Sequence, residues 1–367
     1  MSTAARVHPV GGLASAPERV FTSAANKPAP PPQWLGFARS LEAATGQRLP
    51  SPAHLHEFSV RHAGDFWRHF LSWAELHWEG SAARVCDADV VAPATLFPDL
   101  RLNYAENLLL GRGAGPDAIA ITACHADGRR VRLTRAELRG CVEQMAEVLR
   151  EQGVGVGVGV GDRVVAILRN DADAAVTALA VAAIGASLAI AAPEMEAPAI
   201  VERFKAFTPR LLIAHVAPLP HDAGAALASR VAQVAAALVS LDLLITLDDT
   251  PLRLAPGLPV RALSGLLAGH CGEEFHWQRF AFNQPLFALA SSGNAARSGC
   301  TVHPAGELLL EHVRAHRLDG DLQAGDKLFL QSACASMAWH WQLSALASGC
   351  RIVLYDGPMR HEGMALE

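Results

Sequence analysis

The stretch Ser291-Ser292-Gly293-Asn294-Ala295-Ala296-Arg297-Ser298-Gly299 has the residue types and spacing best suited to chemistry in this chain. It follows an apolar run at 286–291 and precedes a helical pattern that begins near Ala305. In α/β proteins, a loop of small residues between a strand and a helix is where phosphates are seated. Backbone N–H groups can close on an anion there, and serine hydroxyls add donors. Arg297 would add a guanidinium. A Ser-Ser-Gly turn is also an ordinary connection, so these residues alone leave both readings open.

Other constellations carry less. His312 and His316 stand at i, i+4 on a helical pattern, a spacing that can ligate a metal, but no third ligand accompanies them. A solvated helix face is the expectation for them. The alternating run from Gly153 to Gly161 resembles a nucleotide fingerprint, but position 158 is valine and the run joins a helix to a strand. That is the reverse of the order such a fingerprint needs, so it reads as a low-complexity loop. No G-x-S-x-G elbow and no H-E-x-x-H pair occurs, which leaves no positive case for a hydrolase or metalloprotease.

The elements that would position the loop are legible by period. Residues 118–124 and 130–133 read as strands around an Asp127-Gly128 turn. Thr134 and Glu137 form a capping box that opens a helix running to about Gln152. Residues 162–168 form an apolar strand, and Asp171 or Asp173 caps the helix after it. Strands at 186–191, 210–214 and 242–247 alternate with helices near 197–207 and 222–238. After a looser segment at 250–282 come a strand at 286–291, a helix at 305–317, a strand at 327–331, a helix at 337–347 and a strand at 351–355. The expected fold class is therefore α/β, with mostly parallel sheets flanked by helices.

Bulk properties narrow the function classes. Charged residues make up 18% and hydrophobic residues 51% of the 367-residue chain, a balance that favours buried cores over disorder. A formal charge of -5 with no basic run gives no case for nucleic-acid binding. Residues 174–192 carry no charge and approach bilayer-spanning length, but alanine dominates and Gly185 interrupts them. A buried helix ending near Gly185 and then a buried strand is the expectation, with no membrane contact. Seven dispersed cysteines without a C-x-x-C pair, and no secretory signal at the start, point to the cytoplasm.

Several blocks resemble the acetoacetyl-CoA synthetase family of adenylate-forming ligases. They include Phe58-Ser59-Val60 with Phe66-Trp67, Phe97-Pro98, and Leu102-Asn103-Tyr104-Ala105-Glu106-Asn107-Leu108-Leu109. Gly161-Asp162-Arg163-Val164, Pro209-Arg210-Leu211-Leu212-Ile213-Ala214, Gly325-Asp326-Lys327 and Leu354-Tyr355-Asp356-Gly357 follow in family order. The resemblance implies the N-terminal large-domain portion of such a ligase, lacking the C-terminal domain. On this reading residues 1–33 are an Ala/Pro-rich tail, 34–112 a helical cap region, 113–357 the incomplete adenylate-forming core and 358–367 an unrelated tail. The implied reaction has two steps: a carboxylate attacks Mg-ATP to give an acyl-adenylate and pyrophosphate, and CoA then displaces AMP. ATP, Mg, CoA and a short acyl acid are the implied small-molecule partners.

The family's phosphate loop reads Ser-Ser-Gly-Thr-Thr-Gly-x-Pro-Lys. This chain keeps Ser291, Ser292 and Gly293, then places Asn294 and Ala295 at the threonines, Ala296 at the glycine, Ser298 at the proline and Gly299 at the lysine. Each charge-assisted hydrogen bond to phosphate is worth roughly 1.5–3 kcal/mol. Asn294 can replace one donor and Ala295 cannot. Ser291, Ser292, Gly293, Asn294 and Arg297 are thus the expected remnant of a nucleotide site, and no catalytic residue is assigned. Met337 and Trp339 survive from the next family motif and read either as walls of an acyl pocket or as core. A truncated, degenerate homologue is the leading expectation. Completion by another chain, or a binding and scaffold role, is the alternative, and exposed apolar surface near 351–355 would favour self-association.

Overall fold

The computed structural model describes residues 31–86, 95–153, 161–218, 226–254, 256–268, 275–290 and 300–357. Three helices come first: α1 (Gln33–Thr45), α2 (Pro52–Arg61) and α3 (Ala63–Trp73). Their apolar sides meet in an aromatic cluster, with the Phe37 ring 5.4 Å from Phe66 and 5.6 Å from Phe70. Ser51 caps α2, and Pro52 takes its first position, where a missing N–H costs nothing. Next come β1 (Trp78–Gly80), β2 (Leu100–Leu102) and α4 (Tyr104–Leu110), the last capped by Asn103.

The alternating part begins with β3 (Ile119–His125), β4 (Arg130–Thr134) and α5 (Arg135–Glu151). The expected capping box is present: Thr134 Oγ1 accepts the Glu137 N–H at 3.1 Å, and Glu137 Oε2 accepts the Thr134 N–H at 2.8 Å. Then follow β5 (Arg163–Ile167), α6 (Ala172–Ala183), β6 (Ser187–Ala191), α7 (Ala197–Lys205), β7 (Leu211–Ala214), α8 (Ala226–Ala237) and β8 (Leu243–Thr246). The looser segment supplies β9 (Val260–Ala262), α9 (Leu263–Ala268) and β10 (Phe280–Ala281). The chain continues with β11 (Pro285–Ala290), β12 (Cys300–Pro304) and α10 (Ala305–Arg314), which ends in a π-helical turn at Ala315–Asp319. Last come β13 (Lys327–Phe329), α11 (Met337–Ser344) with a 3-10 turn at Ala345–Ser348, and β14 (Arg351–Asp356).

These strands form three sheets. The largest has the order β12-β11-β6-β5-β7-β8-β9, all parallel but for the edge strand β12. A second sheet, β13-β14-β3-β4, pairs β14 with β3 in parallel, and β1-β2-β10 is a small antiparallel sheet. The single alternating series read from the sequence is thus divided between two sheets. β12 was not among the expected strands, because its alternation is weak and its pairing is to one neighbour only. Within β5, Val164 and Ala166 face one apolar core while Val165 and Ile167 face the other, as a strand buried on both sides requires.

The crossover after β5 runs through α6 to β6 on one side, and that after β7 runs through α8 to β8 on the other. β5 and β7 are neighbours, so their carboxyl ends flank a topological switch point, the place where open α/β sheets bind ligands.

The alanine-rich run is the buried helix α6 followed by β6, and no helix among the described residues is long and apolar enough to cross a membrane. Gly185 makes the turn between them at φ 74°, and a Cβ there would lie 2.5 Å from the Phe280 ring. Gly185→Ala combines left-handed backbone with overpacking. It should cost roughly 2–4 kcal/mol in urea unfolding, and a loss below 1 kcal/mol would show that neither constraint acts.

Candidate functional site

A cavity of about 390 Å³ opens where the carboxyl ends of both large sheets meet. Leu168 and Asn170 follow β5, Pro193 and Glu194 follow β6, and β14 contributes Tyr355 and Asp356. The segment after β13 closes the wall with Gln331 to Cys334. Asn170 ties these parts together: its Nδ2 donates to the Ser332 carbonyl at 2.9 Å, and its Oδ1 accepts from Trp339 Nε1 at 2.9 Å. Cys334 Sγ donates to the Leu168 carbonyl at 2.9 Å, and burial pushes its thiol pKa far up. It is a structural thiol, unsuited to nucleophilic attack at neutral pH.

Trp339, read from sequence as pocket wall or core, is fully buried and supports the cavity through Asn170, while Met337 is half-buried beside it. Ser291, Ser292, Gly293, Asn294 and Arg297 lie outside the described residues. The strand that leads to them, β11, runs parallel to β6 in the register Phe287 to Leu188, so its carboxyl end lies at the edge that bears the cavity.

His312 and His316 overturn the expectation of a solvated helix face: both are buried, because α11 and its 3-10 extension cover that side of α10. Ser344 Oγ donates to the His340 carbonyl at 2.9 Å. With its one proton so placed, it accepts from Tyr104 at 2.7 Å and from His312 Nδ1 at 2.7 Å. His340 stacks on Phe287 at 4.1 Å, and its Nδ1 has no hydrogen-bond partner. Burial pulls the pKa of both His312 and His340 down to about 3. They are neutral imidazoles in a core.

A second polar group, buried except for Asp173, sits at the switch point; sequence reasoning named Asp171 and Asp173 as rival caps and Asp356 within a family block, but neither histidine. Asp171 is the cap, accepting the Ala174 N–H at 3.2 Å. Its Oδ2 faces His215 Nε2, at the end of β7, at 3.4 Å, and Asp173 Oδ2 is 3.6 Å from the same nitrogen. Neither contact has hydrogen-bond geometry. The Arg169 N–H donates to His215 Nδ1 at 3.2 Å. From the other sheet, His125 Nδ1 lies 3.3 Å from Asp356 Oδ2. Burial raises the Asp171 pKa; burial also opposes charge on His215, but Asp171 and Asp173 outweigh it and raise that pKa. The available signal was positional, since each member follows or ends a parallel strand.

Comparison with known proteins agrees with this architecture. A family model described as AMP-binding enzyme matches residues 112–366. The acetoacetyl-coenzyme A synthetase of Rhizobium meliloti is 33% identical over 303 residues, which is 82% of this chain and 46% of that protein. The acetoacetyl-CoA synthetase of Mus musculus is 30% identical over 334 residues, 88% of this chain and 48% of the relative. The malonamoyl-CoA synthetase vrtB of Penicillium aethiopicum is 28% identical over 340 residues, 89% of this chain and 46% of the relative. Among solved structures, the acetoacetyl-CoA synthetase from Streptomyces lividans matches with a TM-score of 0.80 and 29% identity, over 89% of this chain and 49% of that one. The chain spans about half the length of the curated relatives it matches, corresponding to their N-terminal portion. With more than half its residues matched by the family model and its fold shared with a solved relative, this chain belongs to the AMP-binding enzyme family.

Proposed function

We propose that this chain is a cytoplasmic acetoacetyl-CoA synthetase-like protein whose phosphate loop has lost a threonine hydroxyl and the lysine ammonium from its anion donors. Residues 1–367 alone would then form acyl-adenylate from ATP and a short β-keto acid slowly or not at all. The carrying observation is the loop composition: Ala295 and Gly299 present no side-chain donor where the family places a threonine and a lysine. Removing one such donor costs about 3 kcal/mol in a transition state, or roughly a hundredfold in rate. Arg297 does not replace the lysine, because its planar fork lies two positions away and differs in shape from a compact ammonium. The remaining donor set is a poor fit for Mg-ATP. The cavity at the converging sheet edges supports a surviving small-molecule site, and a partner chain or second copy would supply any further catalytic groups.

The test is ATP–pyrophosphate exchange in the presence of acetoacetate, with the Rhizobium meliloti relative as the reference. Exchange by this chain should be at least about a hundredfold slower, and Mg-ATP should leave its melting temperature unchanged. The double substitution Ala295→Thr with Gly299→Lys should raise both signals. Exchange at the relative's rate would sink the proposal.

A further inference from the structure

We infer that the outer face of the β13-β14-β3-β4 sheet is a docking surface for an acidic, amphipathic helix of another polypeptide. Strand β14 turns Ile352 and Leu354 into the core, and β3 turns Ile121 and Ala123 the same way. The alternate residues of each strand then face outward. Pairing aligns Phe329, Val353, Thr122 and Arg132 in one row across the four strands, with Lys327 beside Arg351 on one side of that row and Arg130 on the other. Of the proposed function this uses only the partner chain, and binding to the face is measured apart from adenylation.

Parallel strands are ordinarily covered on both sides, as β5 is here. β13, β14 and β3 also run parallel, yet Val353 and Cys124 on their outer side belong to neither core cluster. Among the described residues, the helical elements that pack on this sheet are α5, α6 and the 3-10 turn after α11. All three join the cluster on its inner side, with Ile121 and Ile352. Phe329, half-buried on the outer side, also lines the 390 Å³ cavity, so an occupant of this face adjoins the candidate site.

Charge selects the occupant. Lys327, Arg130 and Arg132 are exposed and Arg351 is half-buried, and among the described residues no carboxylate pairs with any of the four. Cations on edge strands are an ordinary guard against strand pairing, which accounts for Lys327 on β13 and for Arg130 and Arg132 on β4. It does not account for Arg351, since β14 lies inside the sheet. Arg351 Nε donates to Thr122 Oγ1 at 2.8 Å; burial lowers the pKa of its guanidinium, and the neighbouring Arg132 lowers it further. Like charges held together in this way are complemented by an anionic partner. Val353 and Phe329 among them match an apolar stripe, and four strands about 4.8 Å apart give a face about 14 Å wide, room for one helix. A second copy docked through the same face about a two-fold axis would set these cations against one another. The chain's net charge of -5 likewise opposes a nucleic-acid or anionic-lipid occupant.

The test titrates the full chain into a fluorescein-labelled helical peptide of about 20 residues, a leucine stripe flanked by glutamates, followed by anisotropy. Saturable binding that weakens as salt rises is expected. A peptide with lysines in place of the glutamates should bind at least about tenfold more weakly. The double substitution Arg130→Glu with Arg132→Glu alters only exposed side chains. It should weaken the acidic peptide by about tenfold or more and strengthen the basic one. Lys327→Glu, on the opposite edge, should act in the same direction. Equal binding of the two peptides, or unchanged affinity in the double variant, overturns the inference. Preferential binding to phosphatidylserine vesicles or duplex DNA overturns it too, as does a dimer in sedimentation that the double variant dissolves. Should the double variant fail to fold, Lys327→Glu decides: weaker binding of the acidic peptide supports the face and unchanged binding rejects it. Failure here leaves the ATP–pyrophosphate exchange measurement untouched, so the two proposals fall separately.

Discussion

Acidification from pH 6.5 toward 3 should destabilise the protein steeply, because His312 and His340 are neutral in the core and take up protons on unfolding. Their pKa values fall from 6.5 to about 3 through burial, with His303 adding repulsion at both and His312 adding it at His340. Above 6.5 both states are neutral and the groups contribute no pH dependence. Between 6.5 and 3 the unfolded state binds more protons, so stability is lost as pH falls. Each group contributes about 1.4 kcal/mol per pH unit in that window, and the two together about 3 kcal/mol per unit. His69 and His303 shift in the same direction by lesser burial, whereas the half-buried Glu307 and Asp326 have raised pKa values and oppose the loss. Urea midpoints at pH 7, 6 and 5 check this. His340→Asn should flatten the slope by about half, since one of the two titrating groups is removed. A midpoint that does not move between pH 6.5 and 5 would mean these imidazoles reach water.

Arg135→Ala should be among the most damaging single substitutions, costing about 3–5 kcal/mol. Arg135 opens α5 and is buried to 4% exposure, and among the described residues no carboxylate is its hydrogen-bond partner. Its guanidinium donates instead to the carbonyls of Leu108 at 3.4 Å, Leu346 at 3.1 Å and Cys350 at 3.1 Å. Those groups belong to α4, the 3-10 turn after α11 and the approach to β14, so one side chain joins three elements. Removing it strands buried carbonyls at about 1–3 kcal/mol each, partly offset because a buried cation is no longer desolvated. Arg135→Lys should rescue little, as one ammonium cannot span the three acceptors. Gly111→Ala should resemble it, since a Cβ at Gly111 would fall 1.8 Å from Arg135 Nη1. A loss under 1 kcal/mol for Arg135→Ala would show that water replaces the guanidinium. The same contact makes Gly111 a position where the larger side chain has nowhere to go.

What could be read along the chain was what depends on neighbours in the chain. The Thr134–Glu137 box, a cap at Asp171 or Asp173, the glycine break at Gly185 and the apolar strand at 162–168 all follow from periods of 3.6 and 2 and from local hydrogen bonding. The family resemblance added the order of the blocks and the altered phosphate loop.

The tertiary structure decided which polar residues are buried and together. His312 and His316 have the spacing of an exposed polar stripe, yet α11 packs over them and leaves neutral imidazoles in the interior. His125 and Asp356 are 231 positions apart and meet only because β3 pairs with β14 across the sheet. Asp171 and His215 meet because β5 and β7 become neighbours when β6 takes the other side. The amino-acid sequence by itself determined the helices, the strands and their caps, since each is stabilised within a few residues. Which charges confront one another was decided by strand order, since that order is set by long-range burial, to which local periodicity is blind.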